Sequence, residues 1–125
     1  MEKVKKVLIA EDDAANRFLL EEILKDVPVE IIWATNGKEA VELYTQQQEI
    51  LLVLMDIRMP IWDGYRAAEE ILTINKDAKI IAQTAFSTSA DKQRLLELGF
   101  LDHISKPINL TSFVETLNKW SSSDS

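Results

Sequence analysis

The chain has 125 residues, a length typical of one globular domain built around one hydrophobic core. Its formal net charge of −7 argues against a domain that binds nucleic acid directly, since such domains concentrate Lys and Arg. Cysteine is absent and no apolar run is long enough to span a bilayer, so we expect a cytoplasmic domain without membrane contact.

The first half of the chain alternates apolar strands with amphipathic helices. Strands are predicted at residues 4–10, 31–34 and 51–55. Helices are predicted between them, with apolar residues at Phe18, Leu19, Ile23 and Leu24 and then at Ala40, Val41 and Tyr44. Apolar residues are consecutive in the third strand, as is typical of a parallel strand that is covered on both faces.

The second half continues the same alternation. Strands are predicted at residues 79–84 and 102–105, and a helix around residues 90–98 is ended by Gly99. Two more helices carry apolar residues at Ala67, Ala68, Ile71 and Leu72, and at Leu110, Phe113, Val114, Leu117 and Trp120. Five alternating strands and helices predict an α/β domain with a doubly wound parallel sheet over residues 1–121, and residues 122–125 are predicted to be a tail or linker remnant.

Polar residues follow four of the five predicted strands. They are Glu11, Asp12 and Asp13 after the first strand, Asp56 after the third, Thr84 after the fourth and Lys106 after the fifth. In a doubly wound sheet the carboxyl ends of the strands border the binding crevice. Carboxylates gathered there would repel one another without a cation, and oxygen ligands favour Mg²⁺ or Mn²⁺. A carboxylate, a metal, an ammonium and a hydroxyl together indicate phosphoryl transfer to the carboxylate.

Each of these residues alone also has an ordinary structural explanation. Asp13 alone is as readily a helix cap as a ligand, and the two roles are compatible. Thr84 alone is a β-branched strand residue, and Lys106 alone would be a solvated surface cation. Their combined placement after buried strands favours a functional site.

The chain resembles response-regulator receiver domains of two-component signalling from end to end. The matching motifs are Asp12-Asp13, Asp56 with Met59-Pro60 and Asp63-Gly64, Thr84-Ala85, and Lys106-Pro107. The resemblance implies a flavodoxin-like fold with strand order 2-1-3-4-5. It also implies that a histidine kinase or a histidine phosphotransfer protein phosphorylates Asp56.

The same resemblance implies roles for the other residues. Mg²⁺ would be bound by Asp12, Asp13, Asp56 and the backbone carbonyl of Arg58. Thr84 and Lys106 would contact the phosphoryl oxygens, and phosphorylation would switch the surface of the fourth helix, fifth strand and fifth helix. His103 lies three residues before Lys106, where the family usually has a Tyr or Phe that switches with Thr84; a packing histidine is the alternative.

Two positions are predicted to set the lifetime of the phosphorylated state. Arg58 and Phe86 each lie two residues beyond a motif residue, Asp56 and Thr84, where the attacking water would approach. Neither carries an acid or amide that could orient that water, so we predict slow dephosphorylation.

Two other functions match part of the pattern. A phosphatase of the haloacid-dehalogenase type has a second Asp two residues after its nucleophile, but this chain has Arg58 there, so we expect no turnover of a separate substrate. A pseudo-receiver that only binds partners normally lacks part of the acidic pocket or the lysine. The runs at residues 80–85 and 104–109 look most like receivers of hybrid sensor kinases, and we expect a monomer or weak dimer.

Overall fold

The computed structural model describes residues 5–47, 49–85 and 88–121, which form five strands and five helices in strict alternation. The strands are β1 Lys5–Ala10, β2 Val29–Ala34, β3 Ile50–Asp56, β4 Ile80–Thr84 and β5 Asp102–Ser105. The helices are α1 Ala14–Leu24, α2 Gly37–Gln46, α3 Gly64–Ile74, α4 Ser89–Glu97 and α5 Leu110–Ser121. Residues 122–125, the predicted tail, and Val4 of the predicted first strand lie outside the described residues.

The strands form one parallel sheet in the order β2-β1-β3-β4-β5. The predicted α/β fold and strand order are therefore confirmed. The largest change in a strand boundary is in β2, which begins at Val29 rather than at Ile31. Helix α5 begins at Leu110 because Asn109 is its cap: the Asn109 side chain accepts a hydrogen bond from the backbone N–H of Ser112.

Alternate residues of each central strand pack on opposite faces of the sheet. Leu52, Leu54 and Ile81 lie in one core cluster, which includes Leu20 of α1 and Phe113 of α5. The intervening residues of these strands lie in the second cluster, which is completed by residues of α2, α3 and α4. Both faces are therefore apolar, and polar side chains can approach the sheet only at its ends.

Polar caps fix the start of each helix that follows the carboxyl edge. The side chains of Asp13, Asn36, Asp63 and Thr88 accept hydrogen bonds from backbone N–H groups in the first turns of α1, α2, α3 and α4. The predicted capping role of Asp13 is confirmed. No helix within the described ranges is long and apolar enough to cross a membrane.

Candidate functional site

Three carboxylates meet at the carboxyl edge of the sheet. Asp56 ends β3 and is 4% exposed, whereas Glu11 and Asp12 follow β1. Carboxylate oxygens of Glu11, Asp12 and Asp56 all lie within 4.8 Å of one another. Glu11 is only 1% exposed, so two of these three groups are buried and their charges are poorly screened by water.

The register of the sheet explains why Glu11 belongs to this group. Ala10 pairs with Met55, so the next residues along the two strands, Glu11 and Asp56, lie side by side. The backbone N–H of Glu11 also donates to the carbonyl of Ala34, which extends the pairing of β1 with β2 by one residue. Glu11 therefore continues the strand direction and turns its side chain toward Asp56.

The structure places Asp13 differently from the predicted ligand set. Its Oδ1 accepts a 3.0 Å hydrogen bond from the backbone N–H of Ala15, because the chain has already turned into α1 at this point. Among the described residues, the carboxylate group that could hold a metal contains Glu11 in place of Asp13. The pairing of Ala10 with Met55, which the structure supplies, is what identifies Glu11 as the neighbour of Asp56.

Lys106 supplies a positive charge to the buried carboxylates. Its Nζ donates a 2.9 Å hydrogen bond to Oδ2 of Asp56 and lies 3.6 Å from Oε1 of Glu11. Its backbone N–H donates to the carbonyl of Thr84, which ties the loop after β5 to the end of β4. The Lys106-Pro107 peptide bond is cis. The predicted approach of Lys106 to Asp56 is thus observed in the structure.

The pKa shifts at this edge reflect burial together with the neighbouring charges. Burial raises the pKa of Glu11 above its ordinary value, and the charge of Asp56 raises it further, against the opposing effects of the Asp13 backbone N–H and Lys106. Burial alone would lower the pKa of Lys106, but its hydrogen bond to Asp56 and the charges of Asp56 and Glu11 raise it overall. Lys106 is therefore held as an ammonium beside an excess of negative charge.

A cavity of about 200 Å³ opens onto these groups, and its lining includes most of the predicted site residues: Asp12, Asp13, Asp56, Arg58, Thr84 and Lys106. The backbone N–H of Arg58 donates to Oδ1 of Asp56 at 3.2 Å. Thr84 is 5% exposed at the end of β4. Gln83, for which the sequence pattern predicts no role, also lines the cavity.

Two predicted residues fall outside this arrangement. His103 lies in β5 beside Ala82, with its Nδ1 4.0 Å from Oδ1 of Asp102, and it is not part of the described lining of the cavity. Phe86 lies outside the described residues. The switch role of His103 and the lifetime role of Phe86 stay predictions.

The arrangement matches oxygen-ligand cation chemistry. Three carboxylates contribute oxygens within 4.8 Å of one another, and Oε1 of Glu11 has no hydrogen-bond partner in the described part of the chain. A buried acceptor without a hydrogen bond is suited to binding a cation or a hydrogen-bond donor. The sheet is doubly wound, and an acidic pocket and a lysine meet at the carboxyl ends of its strands. These features together are typical of α/β domains that bind or transfer phosphoryl groups.

Comparison with known proteins narrows this class to one family. The family model of the response regulator receiver domain matches residues 7–118. The chain is 40% identical over 116 residues to the chemotaxis protein CheY of Thermotoga maritima, covering 92% of this chain and 96% of that protein. The chain belongs to the response regulator receiver domain family.

Other similar proteins carry such a domain within longer chains. The chain is 37% identical to part of hybrid signal transduction histidine kinase I of Dictyostelium discoideum, covering 90% of this chain but only 7% of that protein. It superimposes with a TM-score of 0.87 and 28% identity on the receiver domain of sensor histidine kinase PA1611 of Pseudomonas aeruginosa, a structure with a magnesium ion in its active site cleft. That match covers 97% of this chain and 100% of the other.

A second solved structure contains a receiver domain together with a partner. It is the complex of the Saccharomyces cerevisiae histidine phosphotransfer protein Ypd1 with the receiver domain of the response regulator Ssk1. The match has a TM-score of 0.87 and 28% identity, and covers 95% of this chain and 90% of the other. Receiver domains act as phosphorylation switches rather than as metabolic enzymes.

Proposed function

We propose that Asp56 is the residue of this receiver domain that accepts the phosphoryl group. The observation that carries the proposal is the 2.9 Å hydrogen bond between Lys106 Nζ and Oδ2 of Asp56, a buried carboxylate that borders an open cavity. An ammonium at this distance can stabilise negative charge on phosphoryl oxygens attached to the same carboxylate. The open cavity gives a phosphodonor access to the nucleophile.

In the proposed reaction a carboxylate oxygen of Asp56 attacks the phosphorus of a phosphohistidine. A P–O bond forms, the P–N bond breaks, and the imidazole leaves with the bonding electron pair, taking a proton from solvent. Arg58 N–H and Lys106 Nζ bind opposite oxygens of Asp56 and fix the carboxylate plane before attack. The product is an acyl phosphate on the chain itself, so the proposal includes no turnover of a separate substrate.

Glu11, Asp12 and Asp56, together with the backbone carbonyl of Arg58, are the proposed Mg²⁺ ligands, with Mn²⁺ as an alternative ion. When bound, the ion supplies positive charge that offsets repulsion between the carboxylates and the incoming phosphoryl group. The sensor kinase receiver with magnesium in its cleft supports this assignment. The raised pKa of Glu11 is compatible with it, because burial and then the charge of Asp56 disfavour the ionised carboxylate and a cation would offset both effects.

The proposed partner is a histidine kinase or a histidine phosphotransfer protein. The kinase relatives and the complex of Ypd1 with a receiver domain support this choice. On this chain Phe18 and Leu19 expose apolar surface on α1, and Leu19 also lines a second cavity, shared with Lys106, beside the acceptor site. An apolar surface next to the acceptor is suited to a partner that must bring its histidine close to Asp56.

The proposed response to phosphorylation begins at Thr84 and Lys106. Their backbones are already joined by the hydrogen bond from Lys106 N–H to the Thr84 carbonyl. Attraction of both side chains toward a dianionic phosphoryl group would shift β4, β5 and the intervening α4 together. The proposed output surface therefore comprises α4, β5 and α5, with His103 as the predicted second switch residue.

Intact-mass spectrometry tests the acceptor assignment. Wild-type protein incubated with acetyl phosphate and Mg²⁺ should gain the mass of one phosphoryl group, and Asp56→Asn or an added chelator should abolish the gain. An adduct that persists in Asp56→Asn would refute the assignment. Release of phosphate from a generic phosphomonoester, with repeated turnover, would instead favour the haloacid-dehalogenase alternative.

A further inference from the structure

Gln83 is a polar residue in an otherwise apolar stretch of strand. Every residue of β4 is buried, and Ile80, Ile81 and Ala82 are apolar. Gln83 is 1% exposed, yet its Nε2 has no hydrogen-bond partner among the described residues. A buried amide without a partner loses the hydrogen bonds it made to water, so such a group calls for a functional explanation.

The sheet register aligns Gln83 with the acceptor site. Asp56 pairs with Gln83, and Glu11 lies on the other side of Asp56. Gln83, Glu11 and Lys106 also line the same cavity. The three neighbouring strands β1, β3 and β4 thus present a carboxylate, the acceptor carboxylate and an amide in one row.

Glu11 has a buried acceptor oxygen that lacks a hydrogen bond, as Gln83 has a buried donor that lacks one. Oε2 of Glu11 accepts a hydrogen bond from the backbone N–H of Asp13 at 3.2 Å. Oε1 of Glu11 forms an ion pair with Lys106 Nζ at 3.6 Å but has no hydrogen-bond partner in the described part of the chain. One buried donor and one buried acceptor are therefore left over in a single cavity. Because Asp56 lies between the two residues in the sheet, a water in the shared cavity is the simplest bridge that would satisfy both atoms.

We propose that Gln83 is a positioning residue that orients Glu11 for divalent-cation binding. The Asp13 N–H donates a hydrogen bond to Oε2, and the Gln83 amide would orient Oε1 through the bridging water. Both oxygens of the Glu11 carboxylate are then fixed, while further lone pairs remain for a cation. Hydrogen-bond donors that orient metal ligands have large effects on metal affinity. The inference rests on the proposed function, since it concerns the same Mg²⁺ site.

If the Gln83 amide stabilised the fold itself, the metal-free protein would behave in the opposite way. The side chain lies on the same face of the sheet as Leu54, Ile81 and Ile104, where Leu or Met would pack without an unsatisfied amide. If the amide serves cation binding, its removal should not destabilise the metal-free chain but should weaken Mg²⁺ binding. The stability of the metal-free chain and its affinity for Mg²⁺ should therefore change independently.

The test uses Gln83→Leu and Gln83→Met, the second of which keeps an unbranched side chain, with Gln93→Leu on the exposed face of α4 as the matched control. Urea denaturation in chelator measures stability, and isothermal titration calorimetry measures the Kd for Mg²⁺. We expect both Gln83 variants to be at least as stable as wild type and to bind Mg²⁺ about tenfold more weakly. Saturating Mg²⁺ should restore their rate of phosphorylation by acetyl phosphate.

Two results would overturn the inference alone. One is an unchanged Kd for Mg²⁺ in both variants, and the other is a loss of stability in chelator, which would show that the Gln83 amide stabilises the fold itself. Wild-type protein that binds no Mg²⁺ would overturn the proposed metal site and this inference with it. The wild-type titration therefore separates failure of the proposed function from failure of the role of Gln83.

Discussion

Lys106 Nζ and Asp56 Oδ2 form a 2.9 Å hydrogen bond between residues that are fifty positions apart in the sequence. The bond joins the loop after β5 to the last residue of β3, across the intervening strand β4. Lys106 is partly exposed while Asp56 is buried, and both line the cavity that opens onto the acceptor. The ammonium is therefore placed to meet an incoming phosphoryl group.

Replacing this ammonium should slow phosphorylation without removing the acceptor. For Lys106→Met we expect the rate of acyl phosphate formation to fall about a hundredfold, because loss of one preorganised donor to transition-state charge has an effect of that size. Intact mass after timed incubation with acetyl phosphate measures the rate. Lys76→Met, at an exposed position after α3, is the control. A wild-type rate in Lys106→Met would show that the ammonium acts only on the resting carboxylate.

Substitution of Glu11 or Asp12 should weaken Mg²⁺ binding, whereas substitution of Asp13 should not. Glu11→Gln and Asp12→Asn each remove a charge from the carboxylate group, and we expect each to raise the Kd for Mg²⁺ at least tenfold. Asp13→Asn keeps an oxygen that can cap α1, because Asn caps helices about as well as Asp, so its Kd and stability should match wild type. Calorimetric titration measures all three values. Weaker binding by Asp13→Asn would restore Asp13 to the ligand set.

The sequence predicts which residues end the strands more reliably than the direction of their side chains. Asp56 and Lys106 were identified because each follows a short buried strand, and parallel strands share one edge. The choice between Glu11 and Asp13 depends on where β1 stops and α1 starts. That boundary is set by the pairing of Ala10 with Met55 and by the Asp13 cap of α1, and the pairing is not visible in one segment of sequence alone.

Gln83 was missed for a related reason. In the sequence Gln83 is one polar residue near the end of an apolar strand, and only the pairing of β4 with β3 shows that it lies beside Asp56. The orphaned Nε2 is a property of the packed site, since its environment comes from three strands and the loop after β5. Hydrophobic periodicity predicts such strands but does not reveal unsatisfied polar atoms.

The high pKa of Glu11 makes stability depend on pH in the absence of divalent cations. Burial and the charge of Asp56 raise this pKa above 4.5, so the folded chain binds the Glu11 proton more tightly than the unfolded chain does. The resulting stabilisation is complete below 4.5 and is lost as the pH rises through the higher folded pKa. We expect Glu11→Gln to be more stable than wild type at neutral pH and to lose less stability between acid and neutral pH. Urea denaturation in chelator across this range measures both, and parallel curves for the two proteins would contradict the prediction.

Gly64 should not tolerate a side chain, because its backbone lies close to the backbone of Asp56 and Ile57 at the end of β3. A Cβ at this position would lie 2.8 Å from the Cα of Ile57 and would also overlap the carbonyl oxygen of Asp56. Gly64→Ala should therefore cost about 1–3 kcal/mol of unfolding free energy, the usual range for overpacking, and should slow phosphorylation by displacing Asp56. Urea denaturation and timed intact mass measure the two effects. A gain in stability, which the better helix propensity of Ala would give in open space, would contradict this prediction.

Arg58 is predicted to prolong the phosphorylated state because it offers no group that orients the attacking water. Its backbone N–H binds Oδ1 of Asp56, so its side chain starts beside the acceptor, at the border of the cavity. In Arg58→Asn the shorter amide could hold a water near the phosphoryl group, and we expect hydrolysis to become faster by at most about a hundredfold, the lower end of what a positioned proton-transfer group contributes.

The decay of the phosphorylated mass after removal of acetyl phosphate, with Mg²⁺ kept constant, measures the lifetime. Arg58→Met is the matched control, since it removes the same charge without adding an amide. If both variants decay equally fast, the charge of Arg58 rather than the missing amide sets the lifetime, and if neither differs from wild type, the position has no part in hydrolysis. A shorter lifetime only in Arg58→Asn would support the water-positioning explanation, because the two substitutions differ in the amide and share the loss of charge.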